Sequence, residues 1–271
     1  MGGRFASPIT DISHPPRRVP MHGFIPDSPY AEAVASPSHD SRGGKPLQAI
    51  ILHYTGMATG PAALARLCDP ASEVSAHYVV EEDGRIFQLV PEARRAWHAG
   101  KSFWAGETDM NAASVGIEIV NGGHDFGSPP FPPGQIDALI ALCRDIAKRR
   151  EIPPQNILAH SDIAPDRKRD PGERFPWAKL AAAGLGHYVS PHAIGDDTGL
   201  SLGDAGAEVW DLQRKLVAYG YGLEVTGVYD KKTQAVVTAF QRHFRPARVD
   251  GKADRSTRET LLDLISDGAE T

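Results

Sequence analysis

The pattern of apolar and polar residues divides the 271-residue chain into segments with different expected structures. Residues 1–45 are rich in Pro, Ser, Gly and His and show no sustained apolar period. They are predicted to form an extended arm that lies over the domain or is partly disordered. Order is expected to begin with the nearly continuous apolar run at residues 47–54, which is typical of a strand covered on both faces.

Residues 46–188 are predicted to fold as an α/β domain. Asp83-Gly84 lies between two apolar runs, which is a strong hairpin signal. A short helix is predicted for residues 61–67. A longer amphipathic helix, stopped by Pro153-Pro154, is predicted from the spacing of Ile136, Leu139, Ile140, Cys143, Ile146 and Ala147. Strands alternate with these helices, so a mixed β-sheet flanked by helices is expected; the predicted strands after the first are residues 77–80, 85–90, 115–120 and 157–160.

A second, all-α domain is predicted at the C-terminus. Ser, Pro, Gly and Asp dominate residues 189–203, which are interpreted as a linker. Residues 204–267 then show three short helical patterns; Gly220 would end the first, and Asp230 and Asp254 would be the N-caps of the other two. The residues predicted to point inward are Val209, Leu212 and Leu216, then Val236, Val237 and Phe240, then Leu261, Leu262 and Ile265.

Composition and charge exclude several classes of partner. The formal net charge of −5 argues against nucleic acid or an anionic membrane, since both favour basic surfaces. No window of about twenty apolar residues is present, so no membrane insertion is expected. Cys68 and Cys143 are too few for a disulfide framework. A monomer is expected.

The first twenty residues lack the apolar stretch of a secretory signal, and no apolar run follows Arg17-Arg18. The expected location is therefore the cytoplasm, with the periplasm or cell envelope as the alternative.

Three residues of the α/β domain could bind a metal. His53 and His160 lie at the ends of predicted strands, and Asp170 follows His160 by ten positions. Two imidazoles and one carboxylate would leave the fourth position of a zinc ion open, as in catalytic sites. Spacing alone does not decide this, because a histidine at a strand end is more often an ordinary hydrogen-bonding group.

Glu118 and Lys168 are the candidate catalytic residues near such a metal. Glu118 lies between Ile117 and Ile119 in an apolar strand, where a carboxylate is costly unless it is paired or used. It could be the partner of a buried ion pair, or a general base that takes a proton from a zinc-activated water. Lys168 could stabilise a developing oxyanion or be a solvated charge in a basic run.

Taken together, the motifs resemble those of a known family. The motifs occur in family order at residues 51–55, 74–78, 96–100, 114–121, 160–165, 167–168 and 170–172. From residue 47 to 186 the chain resembles the type-2 N-acetylmuramoyl-L-alanine amidases, the AmpD- and AmiD-like group related to phage T7 lysozyme and the peptidoglycan recognition proteins. Asp166 departs from this pattern, because many relatives have glycine there.

The resemblance implies a role for each matching residue. Glu118 would be the catalytic acid/base, and Lys168 would stabilise the tetrahedral intermediate. His77 would be structural, close to the site without being a ligand. The implied ligands of one zinc ion per chain are His53, His160 and Asp170, and the implied neighbours of the substrate groove are Trp97, His98 and Asn121.

The C-terminal helices resemble the three-helix peptidoglycan-binding module of cell-wall hydrolases, although a helical cap that only stabilises the enzyme is an alternative. The expected function is zinc-dependent hydrolysis of the amide between the lactyl group of N-acetylmuramic acid, or its anhydro form, and L-alanine. Intact wall and soluble muropeptides both stay open as substrates. A non-catalytic recognition protein and a zinc peptidase that cuts within the stem peptide are the alternative functions.

Overall fold

The computed structural model describes residues 23–267 of the chain. A six-stranded mixed sheet, in the order β1-β5-β4-β7-β3-β8, lies at its centre, and β2 and β6 form a separate two-stranded antiparallel sheet. Within the large sheet only β4 and β5 are antiparallel, as the hairpin at Asp83-Gly84 predicts. The strands are β1 Ala31–Ala33, β2 His39–Ser41, β3 Ala49–Tyr54, β4 Tyr78–Val80, β5 Ile86–Gln88, β6 Arg94–Ala96, β7 Ser114–Ile119 and β8 Ile157–Ala159.

The prediction that order begins at residue 47 is wrong. Residues 31–33 add β1 to the edge of the large sheet, and residues 39–41 form β2. Backbone pairing holds this part of the arm, and the side chain of Asp27 also accepts hydrogen bonds from Gln88 Nε2 and from the backbone N–H of Glu92. Three-residue strands leave no apolar period for a sequence pattern to reveal. The expectations for residues 1–22 lie outside the described residues.

Five helices accompany the strands in what we call the sheet domain (residues 31–182). The predicted helices at residues 61–67 and around 136–147 are confirmed, and the longer one packs its apolar side on the sheet. The second and fourth helices are single turns that no pattern predicted. The helices are α1 Gly60–Leu67, α2 Met110–Ala113, α3 Pro133–Arg150, α4 His160–Ile163 and α5 Trp177–Ala182.

A buried carboxylate fastens α3 to the hairpin. The Glu92 side chain is fully buried and accepts hydrogen bonds from Tyr78 Oη at 2.6 Å, from Arg149 Nη2 at 2.8 Å and from Arg150 Nε at 2.6 Å. Burial alone would raise the pKa of Glu92, but the bonds from Arg149, Tyr78 and Arg150 lower it to about 2. The ionised form is therefore strongly favoured in the folded protein.

The C-terminal module (residues 207–267) consists of α6 Ala207–Tyr219, α7 Lys231–Phe244 and α8 Arg255–Asp267. Gly220 ends α6 with φ 132°, and Asp230 caps α7 by accepting a hydrogen bond from Thr233 N at 2.8 Å. Asp254 accepts one from Thr257 N at 2.8 Å. The predicted inward position of Leu262 is wrong: it is 47% exposed, and Leu264 occupies the core instead.

The module and the sheet domain share one hydrophobic core. Side chains alternate along β3, so Ile50 and Leu52 pack in the cluster that contains α3, whereas Ala49 and Ile51 belong to a second cluster. That second cluster also contains the buried residues of all three module helices, such as Phe240. The apolar run of β3 is continuous because its two faces meet two different layers. Among the helices of residues 23–267, none is long and apolar enough to cross a bilayer.

Candidate active site

The sheet brings His53 and Glu118 together. They are paired residues of the adjacent parallel strands β3 and β7, so their side chains leave the same face of the sheet near its carboxyl edge. β8, on the other side of β3, ends at Ala159, and His160 is the first residue of the α4 turn that follows. Asp170 follows this turn by seven residues and bonds back to it, because Asp170 O accepts a hydrogen bond from Ser161 N.

Donor atoms of His53, His160 and Asp170 converge on one point. The two Nδ1 atoms lie 2.8 Å apart, and Asp170 Oδ2 lies 3.0 Å from His53 Nδ1 and 2.9 Å from His160 Nδ1. All three residues are buried, and they form the one group of metal-ligand side chains found among the described residues. Ligand atoms around a tetrahedral zinc ion are separated by roughly 3.3 Å at usual bond lengths. The donor set therefore fits a small divalent cation of the zinc type.

The protonation states of His53 and Asp170 suit metal binding. Burial, reinforced by His160, lowers the pKa of His53 to about 4, so its imidazole is neutral near pH 7. Burial alone would raise the pKa of Asp170, but His160 and His53 hold it well below its usual range. A metal requires neutral imidazoles and an ionised carboxylate, so little free energy would be spent on deprotonating His53 and Asp170.

Each histidine ligand candidate is oriented through its second ring nitrogen. His160 Nε2 lies 3.2 Å from the carbonyl oxygen of Ala99, and His53 Nε2 lies 3.0 Å from Nδ1 of His98. Such partners fix the ring orientation and leave Nδ1 free for a metal. The ring of His98 lies directly against β7 at Gly116, where a Cβ atom would come within 2.4 Å of the ring. Glycine is therefore required at this position of the strand.

Glu118 and Lys168 flank the donor group. Glu118 is half-buried, and its Oε2 has no hydrogen-bond partner among residues 23–267. Burial and then the charge of Asp170 raise the pKa of Glu118 well above its usual value, while Lys168 opposes this. Lys168 lines the same cleft as Glu118 and the three donors. A carboxyl group with a raised pKa beside a metal site is suited to act as a general acid/base.

A single cleft gathers most of the predicted site residues. His53, His160, Asp170, Glu118 and Lys168 line it together with Trp97 and His98. Asn121 does not reach it: the Asn121 side chain donates to Pro129 O and accepts from Gly123 N, which shapes the loop after β7. His77 also lies apart from the donors, and its Nδ1 accepts a hydrogen bond from Gly116 N at 2.9 Å.

The comparisons with known proteins agree with this site. A family model described as N-acetylmuramoyl-L-alanine amidase matches residues 43–173, and one described as a peptidoglycan binding domain matches residues 205–261. The chain is 38% identical over 232 residues to the N-acetylmuramoyl-L-alanine amidase AmiD of Escherichia coli strain K12, covering 80% of this chain and 83% of that protein. The chain belongs to the N-acetylmuramoyl-L-alanine amidase family.

Two solved structures resemble this amidase over most of its length. AmiD of E. coli, in complex with the substrate anhydro-N-acetylmuramic acid-L-Ala-D-γ-Glu-L-Lys, has a TM-score of 0.71 and 35% identity, covering 88% of this chain and 94% of AmiD. AmpDh3 of Pseudomonas aeruginosa, in complex with an anhydromuramic pentapeptide, has a TM-score of 0.67 and 30% identity, covering 93% and 99% of the respective chains. The mixed α/β architecture and the family expected from the sequence are thus confirmed.

Two supports of the amidase site were missed by sequence reasoning. Arg167 donates to the carbonyl oxygens of Ala99 and Lys101, and so holds the loop whose Ala99 oxygen orients His160. The Trp97 indole is held by Asp40 of β2, which accepts from its Nε1 at 3.2 Å. Neither contact follows a spacing rule, because each joins residues far apart in sequence. The exposed Asp166 beside Arg167 leaves these bonds in place.

Proposed function

We propose that this amidase is a zinc enzyme that hydrolyses the amide between the lactyl group of N-acetylmuramic acid, or its anhydro form, and L-alanine. The observation that carries the proposal is the convergence of three buried donor atoms, from His53, His160 and Asp170. Beside them lies a carboxyl oxygen of Glu118 that has no hydrogen-bond partner within residues 23–267. Three protein ligands leave one coordination position open, which is typical of catalytic and not of structural zinc.

His53, His160 and Asp170 would hold the metal. Zinc bound there would act as a Lewis acid on the amide carbonyl and on a water molecule. Glu118 would take a proton from the attacking water and later donate it to the leaving nitrogen of L-alanine, a role for which a raised pKa is suited. Lys168, at the wall of the same cleft, places a positive charge where the carbonyl oxygen becomes negative.

Anhydro-muropeptides are the proposed substrates, because the related AmiD and AmpDh3 structures contain such molecules. The amide between the lactyl group and L-alanine occurs both in a small soluble anhydro-muropeptide and at the anhydro-sugar end of a glycan strand. The match of residues 205–261 to a peptidoglycan binding domain supports access to the polymer as well. Comparison of initial rates on soluble anhydro-muropeptide and on purified sacculi would rank the two substrates.

The direct test is mass spectrometry of the products from a defined anhydro-muropeptide. Wild-type enzyme with zinc should release intact peptide and free anhydro-sugar, whereas Glu118→Gln and chelator-treated wild type should leave the substrate unchanged. Zinc added back to the chelated protein should restore the products. The control is Glu32→Gln, which changes an exposed carboxylate on the edge strand β1, separated from β7 by two strands, and should react as wild type.

If zinc-loaded wild type binds the substrate measurably but leaves it unchanged, the protein is a recognition protein and not an enzyme. Cleavage within the stem peptide would instead indicate a peptidase. The monomeric state and the cytoplasmic location stay predictions, which light scattering and cell fractionation would test.

A further inference from the structure

One buried carboxylate joins the metal-ligand turn to the C-terminal module. Asp162 lies two residues after His160 in α4 and is 1% exposed. Its Oδ2 accepts a hydrogen bond from Ala159 N at 2.8 Å and lies 2.7 Å from Nδ1 of His243, and its Oδ1 accepts a hydrogen bond from Tyr221 Oη at 2.9 Å. Because a carboxylate only accepts, His243 Nδ1 carries the hydrogen of that contact.

The two side-chain donors belong to the module and not to the sheet domain. His243 lies in α7, and its ring stacks on the rings of Trp177 and Phe244, with distances between ring centroids of 3.6 Å and 3.8 Å. Tyr221 follows α6 and is 1% exposed. Its ring packs edge-on against the ring of Trp104, with 5.1 Å between the two ring centroids. Aromatic contacts with the sheet domain, through Trp177 and Trp104, therefore help to fix the orientation of both donors at Asp162.

The turn that they contact cannot hold its own position. α4 has four residues, which is far too short for a helix to be stable without tertiary contacts. His160 is its first residue, and Ser161 N donates to Asp170 O at 3.0 Å, so two of the three candidate ligands move with this turn. Ile163 and Ala164, at its other end, lie in the core cluster shared with the module.

We propose that Tyr221 and His243 are positioning residues of the metal centre, through which the C-terminal module sets the metal affinity of the amidase. They fix Asp162, and Asp162 fixes the turn that carries His160. The module then has a structural role in the active site in addition to any contact with peptidoglycan. This proposal rests on the proposed function only in requiring that His160 binds the metal.

The experiment measures the zinc dissociation constant of the full chain by competition with a chromogenic chelator. Tyr221→Phe removes one hydroxyl and leaves Asp162 Oδ1 without its donor. Loss of a direct partner of a metal ligand weakens metal binding about 10–100-fold, and Tyr221 acts one contact further out, so zinc binding should weaken by up to about 10-fold. The matched control is Tyr229→Phe: Tyr229 is equally buried in the module, but its hydroxyl donates to Gly251 O within the module.

Both tyrosine variants should lower the melting temperature of the protein by similar amounts, and only Tyr221→Phe should weaken zinc binding. At saturating zinc, Tyr221→Phe should recover most of its kcat with little change in KM. His243→Phe should also weaken zinc binding, whereas His243→Asn, whose amide Nδ2 can replace the ring Nδ1, should retain more of the affinity. This rescue separates a positioning role from a general loss of packing.

Wild-type zinc affinity in both Tyr221→Phe and His243→Phe, with melting temperatures lowered as in Tyr229→Phe, would overturn the positioning role. That result would leave the proposed function intact. Failure of the wild-type chain itself to bind zinc would instead refute the proposed function, so the two failures are distinguishable.

Discussion

Replacing Gly116 with alanine should displace His98 and weaken the metal centre without touching any candidate ligand. A Cβ atom at residue 116 would lie 2.4 Å from Cγ and Nδ1 of His98. Non-bonded carbon atoms pack at about 3.5–4.0 Å, so the ring must move by about 1 Å. His98 Nδ1 is 3.0 Å from His53 Nε2, and a shift of that size breaks the hydrogen bond between them.

Gly116→Ala is expected to change two quantities, the zinc affinity and the folding stability. Loss of the outer partner of a metal-bound histidine weakens metal binding about 10–100-fold, which is about 1.4–2.8 kcal/mol. Forcing an extra methyl group into a packed interior costs about 1–3 kcal/mol of folding stability in addition. Gly116→Ala should therefore show both a weaker zinc affinity and a lower free energy of unfolding of the metal-free protein.

The assay is zinc competition with a chelator, combined with urea unfolding of the metal-free protein. The control is Gly134→Ala in the first turn of α3, where nothing lies within 4 Å of the added Cβ. The control should keep wild-type zinc affinity and gain about 0.5–1 kcal/mol of stability, because alanine loses less entropy than glycine in a helix. Wild-type zinc affinity in Gly116→Ala would refute the role assigned to His98.

Three further outcomes are expected. Glu92→Gln should lose about 3 kcal/mol of unfolding free energy at pH 7, because the pKa of Glu92 falls from 4.5 to about 2 on folding. This stabilisation is present above pH 4.5 and disappears as the pH falls towards 2. A difference between wild type and variant that stays constant from pH 7 to pH 3 in urea titrations would contradict it. Wild-type protein in zinc at 1,000 times its dissociation constant should be about 4 kcal/mol more stable to unfolding than the chelated protein. Calorimetry should find almost no such difference in Asp170→Asn, and an equal difference in both proteins would locate the metal elsewhere. Lys168→Met should lower kcat about 100-fold with little change in KM for the anhydro-muropeptide, because the lost charge acts mainly in the transition state. A change in KM alone would make Lys168 a substrate-binding residue.

The features that could be predicted from the sequence are those in which one local pattern has one structural meaning. The apolar run of β3 predicts a strand covered on both faces, and the caps Asp230 and Gly220 predict helix ends, since each depends only on neighbouring residues. The inward position predicted for Leu262 is wrong because four of the five residues 261–265 are apolar and fit two different helix faces, and only packing places Leu264 in the core.

Contacts between distant segments could not be predicted in the same way. β1 and β2 are held by backbone pairing, which leaves no apolar pattern, and Asp162 of the α4 turn is bonded to Tyr221 and His243, which are distant in sequence. The close approach of His98 to Gly116 joins two motifs that the family resemblance named but did not connect. Asn121 belongs to a matching motif, yet its amide is used within the loop. A motif thus fixes which residues are present, and the fold decides which of them face the substrate.

The core shared by β3 and the three module helices has a consequence for the evolution and engineering of this chain. Removal of the C-terminal module would expose Ile51, Leu158 and Ile163 to water. A protease that cuts within residues 189–203 should therefore yield two fragments that stay associated. Any chimaera that gives this amidase a different module must carry over the buried surface of α6 and α7, or redesign the matching face of the sheet.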